Sequence, residues 1–208
     1  MKKRPTIRHS RSARDNQFGK FIGKPQTVWE DDGRNMTLLQ DFIYEDPKHQ
    51  IWTASVGSAV NGASIPQIFW SLIGGPFEGR YRNASVIHDT ECTSPYKHDW
   101  RDVHRMFYFG CRAGGVPEAE AKLMFAAVYQ FGPRWTWKAV RPPKKKTVSP
   151  LYDTLRMKAL LRKNPDMSLK AIEGFTHEVL INQVSDDEVE QERRIYQQSL
   201  GSKNRGRR

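Results

Sequence analysis

The feature that most constrains the fold of this chain is a pair of helical segments joined by a short connection. The sequence predicts helices over residues 80–91 and 99–113, and Gly114-Gly115 ends the second one. Because the connection, residues 93–98, is so short, the two helices should pack side by side and antiparallel. Side chains on the two facing sides are therefore expected to meet.

The segments around this helix pair predict an α+β fold. Short β-like runs separated by turn signals occupy residues 27–54, and they predict a small antiparallel sheet with Trp29, Phe42 and Trp52 in its core. After the pair, apolar residues at helical spacing predict another helix, which begins at Pro117 and stops at Gly132-Pro133. A small antiparallel sheet followed by a helical bundle is the expected architecture.

Composition shifts divide the chain into four parts. Residues 1–24 are basic and poor in large apolar side chains, which indicates a flexible, disordered arm. Residues 25–140 form the globular domain, residues 141–149 are a basic Pro/Lys linker, and residues 150–208 are a charged helical extension with a basic tail. Three helical stretches are predicted in the extension, over residues 150–163, 168–182 and 186–200. Their apolar stripe is thin, so they either pack on the domain or fold against a protein partner.

The composition excludes several classes of protein. The chain has 208 residues and a formal net charge of +11, with Lys+Arg 34 against Asp+Glu 23. Its two cysteines, Cys92 and Cys111, are too few for a disulfide scaffold or a four-cysteine zinc site. No apolar run approaches the roughly 18 residues of a membrane-spanning helix, and no hydrophobic stretch follows the basic N-terminus. We therefore expect no transmembrane segment, no signal peptide and a cytoplasmic location.

Positive charge is concentrated in three blocks, around residues 2–14, 134–146 and 203–208. Such blocks neutralise phosphates on a nucleic acid or on an anionic membrane surface. Solvated tails that keep the protein soluble have the same composition. None of the blocks carries an arrangement that reads bases, so sequence-specific DNA binding is not supported.

Three features contain residue types that are used in catalysis. In Asn61-Gly62-Ala63-Ser64-Ile65-Pro66, small residues lead into a predicted short helix over residues 67–73, and backbone N–H groups there suit an anion or an oxyanion. Ser64 is either the N-cap of that helix or a nucleophile. The second feature is His88-Asp89 on the first helix of the pair, and the third is Arg101-Asp102-Val103-His104 on the second helix.

Antiparallel packing should bring the second and third features together, because His88 and His104 both lie on or beside the inward faces of their helices. Two facing histidines can form a proton-transfer pair, or they can hold a metal together with Asp89. A core histidine that only donates to a neighbouring helix is the alternative. His98 and Asp99, in the connection, are expected to be exposed to solvent.

A series of short motifs runs in one order through the middle of the chain. They are Asn61-Gly62-Ala63-Ser64-Ile65-Pro66, Phe69-Trp70-Ser71-Leu72-Ile73-Gly74, His88-Asp89, Arg101, His104-Arg105-Met106-Phe107 and Gly115-Val116. Through this series, residues 36–137 resemble an uncharacterised family of bacterial, prophage and phage proteins, the domain of unknown function 1353. The resemblance implies a protein of a bacterium or a phage-infected host cell, and the family name implies no activity.

The chain departs from the pattern of that family at Asn61 and His104, where the family more usually has aspartates. If those aspartates bind a metal or orient the histidine, this chain has replaced two carboxylates. An amide oxygen binds without charge, so affinity for a hard cation such as calcium should fall. A histidine at position 104 favours zinc or another borderline metal instead.

The layout of the motifs is also similar to the active site of phospholipase A2, in which a glycine-containing loop precedes a His-Asp helix and an antiparallel helix follows. The similarity implies that His88 is the general base for a water and that Asp89 is a calcium ligand. It implies that residue 104 orients His88, although a second imidazole stabilises an imidazolium less well than a carboxylate does.

We therefore predict a hydrolase of unassigned substrate whose His-Asp site lies between two antiparallel helices, with or without a divalent metal such as calcium or zinc. His88 is the base, and Asp89 and His104 are ligands or orienters. The residues expected on the substrate side or in the loop are Asn61, Gly62, Ser64 and Arg101. The alternative is a non-enzymatic phage or prophage accessory protein that binds nucleic acid, a membrane or a protein through its basic tails and C-terminal helices.

Overall fold

The structure is a computed structural model, and it describes residues 17–33, 35–62, 79–94, 97–136, 139–141 and 150–205. Several predictions fall outside these residues. They concern Ser64, the helix over residues 67–73, residues 1–16 of the arm, residues 142–149 of the linker and the last residues of the basic tail.

The strands form two small antiparallel sheets and a two-stranded ribbon, which confirms the β part of the predicted α+β fold. The first sheet has the order β1 (Lys20–Ile22), β4 (Phe42–Glu45), β5 (Ile51–Ala54), and the second has the order β2 (Thr27–Trp29), β3 (Met36–Leu38), β6 (Ala59–Val60). The ribbon consists of β7 (Arg134–Thr136) and β8 (Ala139–Arg141).

Helices make up most of the remaining described chain. They are α1 (Arg82–Thr93), which follows a 3-10 turn at Gly79–Tyr81, α2 (Trp100–Ala113), α3 (Glu118–Phe131), α4 (Pro150–Lys163), α5 (Leu169–Glu173), α6 (His177–Gln183) and α7 (Asp186–Arg205). The side chain of Asp99 caps α2, where it accepts from the backbone N–H of Arg101 at 2.8 Å. None of the helices in the described ranges is long and apolar enough to cross a bilayer.

Side-chain alternation along β4 and β5 builds the core beneath the helices. Phe42 and Tyr44 on β4 and Trp52 on β5 are fully buried, as expected for strands that turn one face inward. The predicted core position of Trp29 is wrong, because 62% of its surface is exposed. Trp29 lies on β2, which is an edge strand among the described strands and pairs with β3.

The predicted disordered arm extends too far along the chain. Residues Lys20–Ile22 form β1 and pair with Ile43–Glu45 of β4. The ring of Phe21 stacks on that of Phe42, with centroids 5.6 Å apart and planes inclined by 7°. An aromatic side chain thus attaches this segment to the sheet, although the residues around it are basic.

The helix pair packs as its short connection predicts. A Cβ added at Gly110 of α2 would lie only 3.0 Å from the Cβ of Ala84 of α1, so small residues allow the two helices to approach closely. One turn further along α1, His88 faces His104 of α2. Residue numbers therefore rise along one helix as they fall along the other, and the helices are antiparallel.

The described C-terminal helices pack on the domain. The sequence left open whether they do so or fold against a protein partner. Helix α4 packs against α3 and α7, and α5 packs against α3. The guanidinium of Arg105 on α2 donates to both carboxylate oxygens of Glu173 on α5, at 2.6 and 2.9 Å. The single helix predicted over residues 168–182 is two helices, because the chain turns at Gly174 and Thr176 caps α6.

Candidate active site

Two histidines meet in the space between α1 and α2. Nε2 of His88 lies 2.8 Å from Nδ1 of His104, and neither side chain has any surface exposed to solvent. Helical periodicity places both of them, since each lies on the inward face of an amphipathic helix. The sequence-based pairing of these two residues is thus present in the geometry.

The hydrogen bonds of the pair determine which nitrogens carry protons. Nε2 of His104 lies 3.1 Å from the backbone oxygen of Pro133, which can only accept, so this nitrogen is an N–H donor. A neutral His104 then has its lone pair on Nδ1 and accepts from Nε2–H of His88. The base nitrogen of a neutral His88 is consequently Nδ1.

Burial keeps both imidazoles neutral. Desolvation lowers the pKa of His88 well below its usual range, and the neighbouring His104 lowers it further. Desolvation also lowers the pKa of His104, and it outweighs the hydrogen bond to Pro133, which favours the charged form. Arg134, a nearby cation, acts in the same direction as desolvation on His104.

Aromatic rings surround the histidine pair. The ring of Phe107 lies 4.7 Å from that of His88, measured between centroids. Trp100 and Tyr129 meet the ring of His104 edge-on, at 5.6 and 6.3 Å. These rings pack against the pair and restrict the orientations of both imidazoles.

One carboxylate oxygen of Asp89 binds the small-residue loop. This atom, Oδ2, accepts from the backbone N–H groups of Asn61, at 2.7 Å, and Gly62, at 3.0 Å. Gly62 has φ of +70°, a conformation that favours glycine. The sequence predicts that backbone N–H groups of this loop suit an anion. In the structure two of these N–H groups bind the carboxylate of Asp89, a group of the same chain. The side-chain Nδ2 of Asn61 also donates to Oδ1 of Asn35, at 2.8 Å.

Cys92 is a member of the site that the sequence reasoning missed. Its Sγ lies 3.7 Å from Nε2 and 3.9 Å from Nδ1 of His88. The signal was present in the spacing, since residues four apart on a helix share a face. Among the described residues, the cluster of close metal-ligating atoms consists of His88, Cys92 and His104, and Asp89 is not part of it.

Arg101 and His98, which the sequence analysis also considered, lie at and just before the start of α2. Arg101 is half exposed and its guanidinium lies over the ring of Trp100, 4.4 Å from the centroid. The structure therefore places it at the outer edge of α2. His98 is partly buried rather than exposed, because it contacts Glu91 at 2.7 Å and its ring lies 4.4 Å from that of Trp52.

Gly132 provides room for the hydrogen bond between His104 and Pro133. A Cβ at this position would lie 2.3 Å from the backbone oxygen of Val128 and 3.2 Å from Cε1 of His104. We expect Gly132→Ala to lower the free energy of unfolding by about 1–3 kcal/mol, the usual cost of overpacking. Urea denaturation measures the change.

Gly174 is the matched control, since it also ends a helix and an added Cβ would approach the oxygen of Ala171 only to 3.3 Å. Gly174→Ala should cost much less than Gly132→Ala. Equal losses in the two variants would contradict the steric role assigned to Gly132.

The site lies in a segment of the chain that matches a protein family. Residues 36–128 match a family described as "Protein of unknown function (DUF1353)", and this range contains Asn61, His88, Asp89 and His104. No solved structure matches the chain.

Two similar proteins come from Sinorhizobium fredii (strain NBRC 101917 / NGR234). "Uncharacterized protein y4jT" is 48% identical over 121 residues, which is 57% of this chain and 36% of that protein. "Uncharacterized protein y4iH" is 39% identical over 104 residues, which is 50% of this chain and 43% of that protein. The chain thus spans less than half the length of either relative.

Proposed function

We propose that residues 36–128, which match the DUF1353 family, form a hydrolase in which His88 is the general base. The observation that carries the proposal is the 2.8 Å hydrogen bond between Nε2 of His88 and Nδ1 of His104. This bond orients the ring of His88 and leaves Nδ1 as its basic nitrogen. A base whose partner holds it in one tautomer is the arrangement that general base catalysis requires.

In the proposed reaction, Nδ1 of His88 takes a proton from water while the water oxygen attacks the acyl or phosphoryl centre. His88 is then an imidazolium, whose Nε2–H donates to Nδ1 of His104. The same proton returns from Nδ1 to the leaving-group oxygen when the bond to that oxygen breaks. His104 is a positioning residue, and its Nε2–H is held in turn by the carbonyl of Pro133.

Asp89 is also a positioning residue in this proposal. Its carboxylate joins α1 to the loop at Asn61 and Gly62 through two backbone hydrogen bonds. The loop therefore stays in register with His88, which is the next residue to Asp89 on α1. A substrate that contacts the loop would meet the base in a reproducible orientation.

The test is a screen of carboxylic esters and phosphodiesters with the full chain in the presence of a metal chelator. His88→Asn should lower kcat/KM by about 10²–10⁴-fold, the usual contribution of a general base. His49→Asn is the matched control, because the side chain of His49 is 82% exposed and lies in a turn of the first sheet. It should retain the wild-type rate.

Circular dichroism and the unfolding midpoint establish that both variants are folded. Full activity in His88→Asn would overturn the assignment of the base. Failure of the wild type to hydrolyse any substrate of either class would overturn the proposed function itself.

A further inference from the structure

The histidine pair and Cys92 together have the composition of a metal site. We propose that His88, Cys92 and His104 bind one borderline or soft divalent ion, with zinc as the best fit. One ligand atom from each of the three residues lies within 4.8 Å of the other two. This proposal stands on its own chemistry and does not require that the domain be a hydrolase.

The distances are close to those of a tetrahedral zinc site. With Zn–N of about 2.0–2.1 Å and Zn–S of about 2.3 Å, tetrahedral angles separate N from S by roughly 3.6 Å and N from N by roughly 3.4 Å. Sγ of Cys92 already lies 3.7 Å from Nε2 of His88. The two imidazole nitrogens are 2.8 Å apart, so they must separate by roughly half an ångström.

The surroundings of the cluster hold the ligands in place. His88 and Cys92 lie one turn apart on α1, and His104 comes from α2. The Nε2–H of His104 donates to the carbonyl of Pro133 at 3.1 Å. A metal-bound histidine commonly makes this second hydrogen bond, which fixes its tautomer and directs its other nitrogen at the ion. Here it directs Nδ1 toward His88 and Cys92.

The ligand types select the ion. One thiol and two imidazoles suit zinc or cobalt, whereas calcium and magnesium require oxygen ligands. The proposed metal ligands therefore differ from those predicted from the sequence, because Cys92 takes the place of Asp89. Oδ2 of Asp89 already accepts hydrogen bonds from two backbone N–H groups of the loop. The expected ion changes with the ligands, from calcium or zinc to zinc.

Binding of the ion also changes the number of protons that the site holds, and this number can be measured. The ion replaces the hydrogen that joins the two rings, and the proton of His88 moves from Nε2 to Nδ1. The thiol of Cys92 binds as a thiolate, so one proton is released to solvent for each ion bound. Because Nδ1 then carries a hydrogen, the zinc-bound form cannot use His88 as a base, and zinc should inhibit the proposed hydrolysis.

The experiment is a titration of the reduced, metal-free full chain with cobalt(II), which reports its own ligands. The wild type should bind one ion, with a thiolate-to-cobalt charge-transfer band in the near ultraviolet and the strong visible bands of a tetrahedral site. Calorimetry in buffers of different ionisation enthalpy should count one released proton per ion. Zinc should displace the cobalt.

Cys92→Ser should lose the charge-transfer band. His104→Asn should lower the affinity for cobalt by at least tenfold, which is the usual effect of losing a group that supports a metal site. Cys111→Ala is the matched control, because Cys111 lies on α2 and is buried outside the cluster. It should keep the band. A band that persists in Cys92→Ser, or a wild type that binds no cobalt, would overturn the metal site.

A second measurement needs no variant and so does not depend on folding of one. Zinc should protect half-buried Cys92 of the wild type from alkylation, as followed by mass spectrometry of the peptide. Alkylation at the same rate with and without zinc would contradict the proposal. Since the hydrolase screen is performed with a chelator, the metal site and the catalytic function can fail separately.

Discussion

Acidification from pH 7 to pH 5 should destabilise the folded chain by about 2 kcal/mol for each of the two buried histidines. Burial lowers the pKa values of His88 and His104 in the folded state. In the unfolded state both should titrate near the ordinary value of about 6.5. Above that pH neither state holds the extra protons, so the histidines do not reduce stability there.

The sign follows from which state binds protons. Below about pH 6.5 the two histidines bind protons in the unfolded chain but not in the folded chain, so the free energy of unfolding falls as the pH falls. The loss continues down to the lowered folded-state pKa of each ring and then levels off. Between pH 7 and pH 5 the two rings together should therefore cost roughly 4 kcal/mol.

Urea denaturation of wild type and His104→Asn at both pH values isolates this contribution. The variant lacks one of the two buried rings, so its loss of stability between pH 7 and pH 5 should be smaller by about 2 kcal/mol. Hydrogen bonds from His49 and Lys20 lower the pKa of Glu45, and one from Lys122 lowers that of Glu118, so these carboxylates weaken the fold mainly below the ordinary carboxyl pKa of 4.5. They are common to both proteins and cancel in the difference, so an unchanged loss would refute buried, neutral histidines.

Asp89→Ala should lower the free energy of unfolding by about 2–4 kcal/mol. The substitution removes the acceptor of two backbone N–H groups, those of Asn61 and Gly62. A buried donor without an acceptor costs about 1–3 kcal/mol, and more when the lost acceptor was charged. Asp89→Asn retains an acceptor oxygen without the charge and should lie between wild type and Asp89→Ala.

Asp41→Ala provides the matched control for this effect. Asp41 makes the same type of long-range hydrogen bond, to the backbone N–H of Val56 at 2.7 Å, but on an exposed part of the sheet. Water can replace the lost oxygen there, so the cost should stay near 0.5 kcal/mol. Comparable losses in Asp41→Ala and Asp89→Ala would show that burial of the carboxylate contributes nothing.

The two helices of the pair and the meeting of His88 with His104 could be predicted from the sequence. Helical periodicity is a local property, and it determined that both residues lie on inward faces. The short connection between α1 and α2 then left an antiparallel arrangement as the simple solution. Residues 36–128, which contain the ordered motifs, match the DUF1353 family, and this confirms the predicted resemblance.

The chemistry around those histidines depended on groups that leave no pattern in a sequence. The proton positions are determined by the carbonyl of Pro133, a backbone atom 29 residues from His104. Oδ2 of Asp89 accepts from backbone N–H groups of a loop that is 27 and 28 residues away in the sequence. Residue identities alone do not predict that this loop lies beside Asp89. Every residue has these backbone groups, so residue identity does not indicate which of them will face a given side chain.

Burial outside the helices was likewise decided by tertiary structure. Trp29 was assigned to the core from its apolar character, yet it lies on an edge strand and is exposed. Phe21 lies among basic residues, yet it stacks on Phe42 and brings β1 into the sheet. By itself the sequence determined the two helices of the pair, their short connection and the facing histidines, because these follow from contacts between near neighbours in the chain. The tertiary structure alone decided the tautomers and the partner of Asp89, because these depend on how separate elements pack.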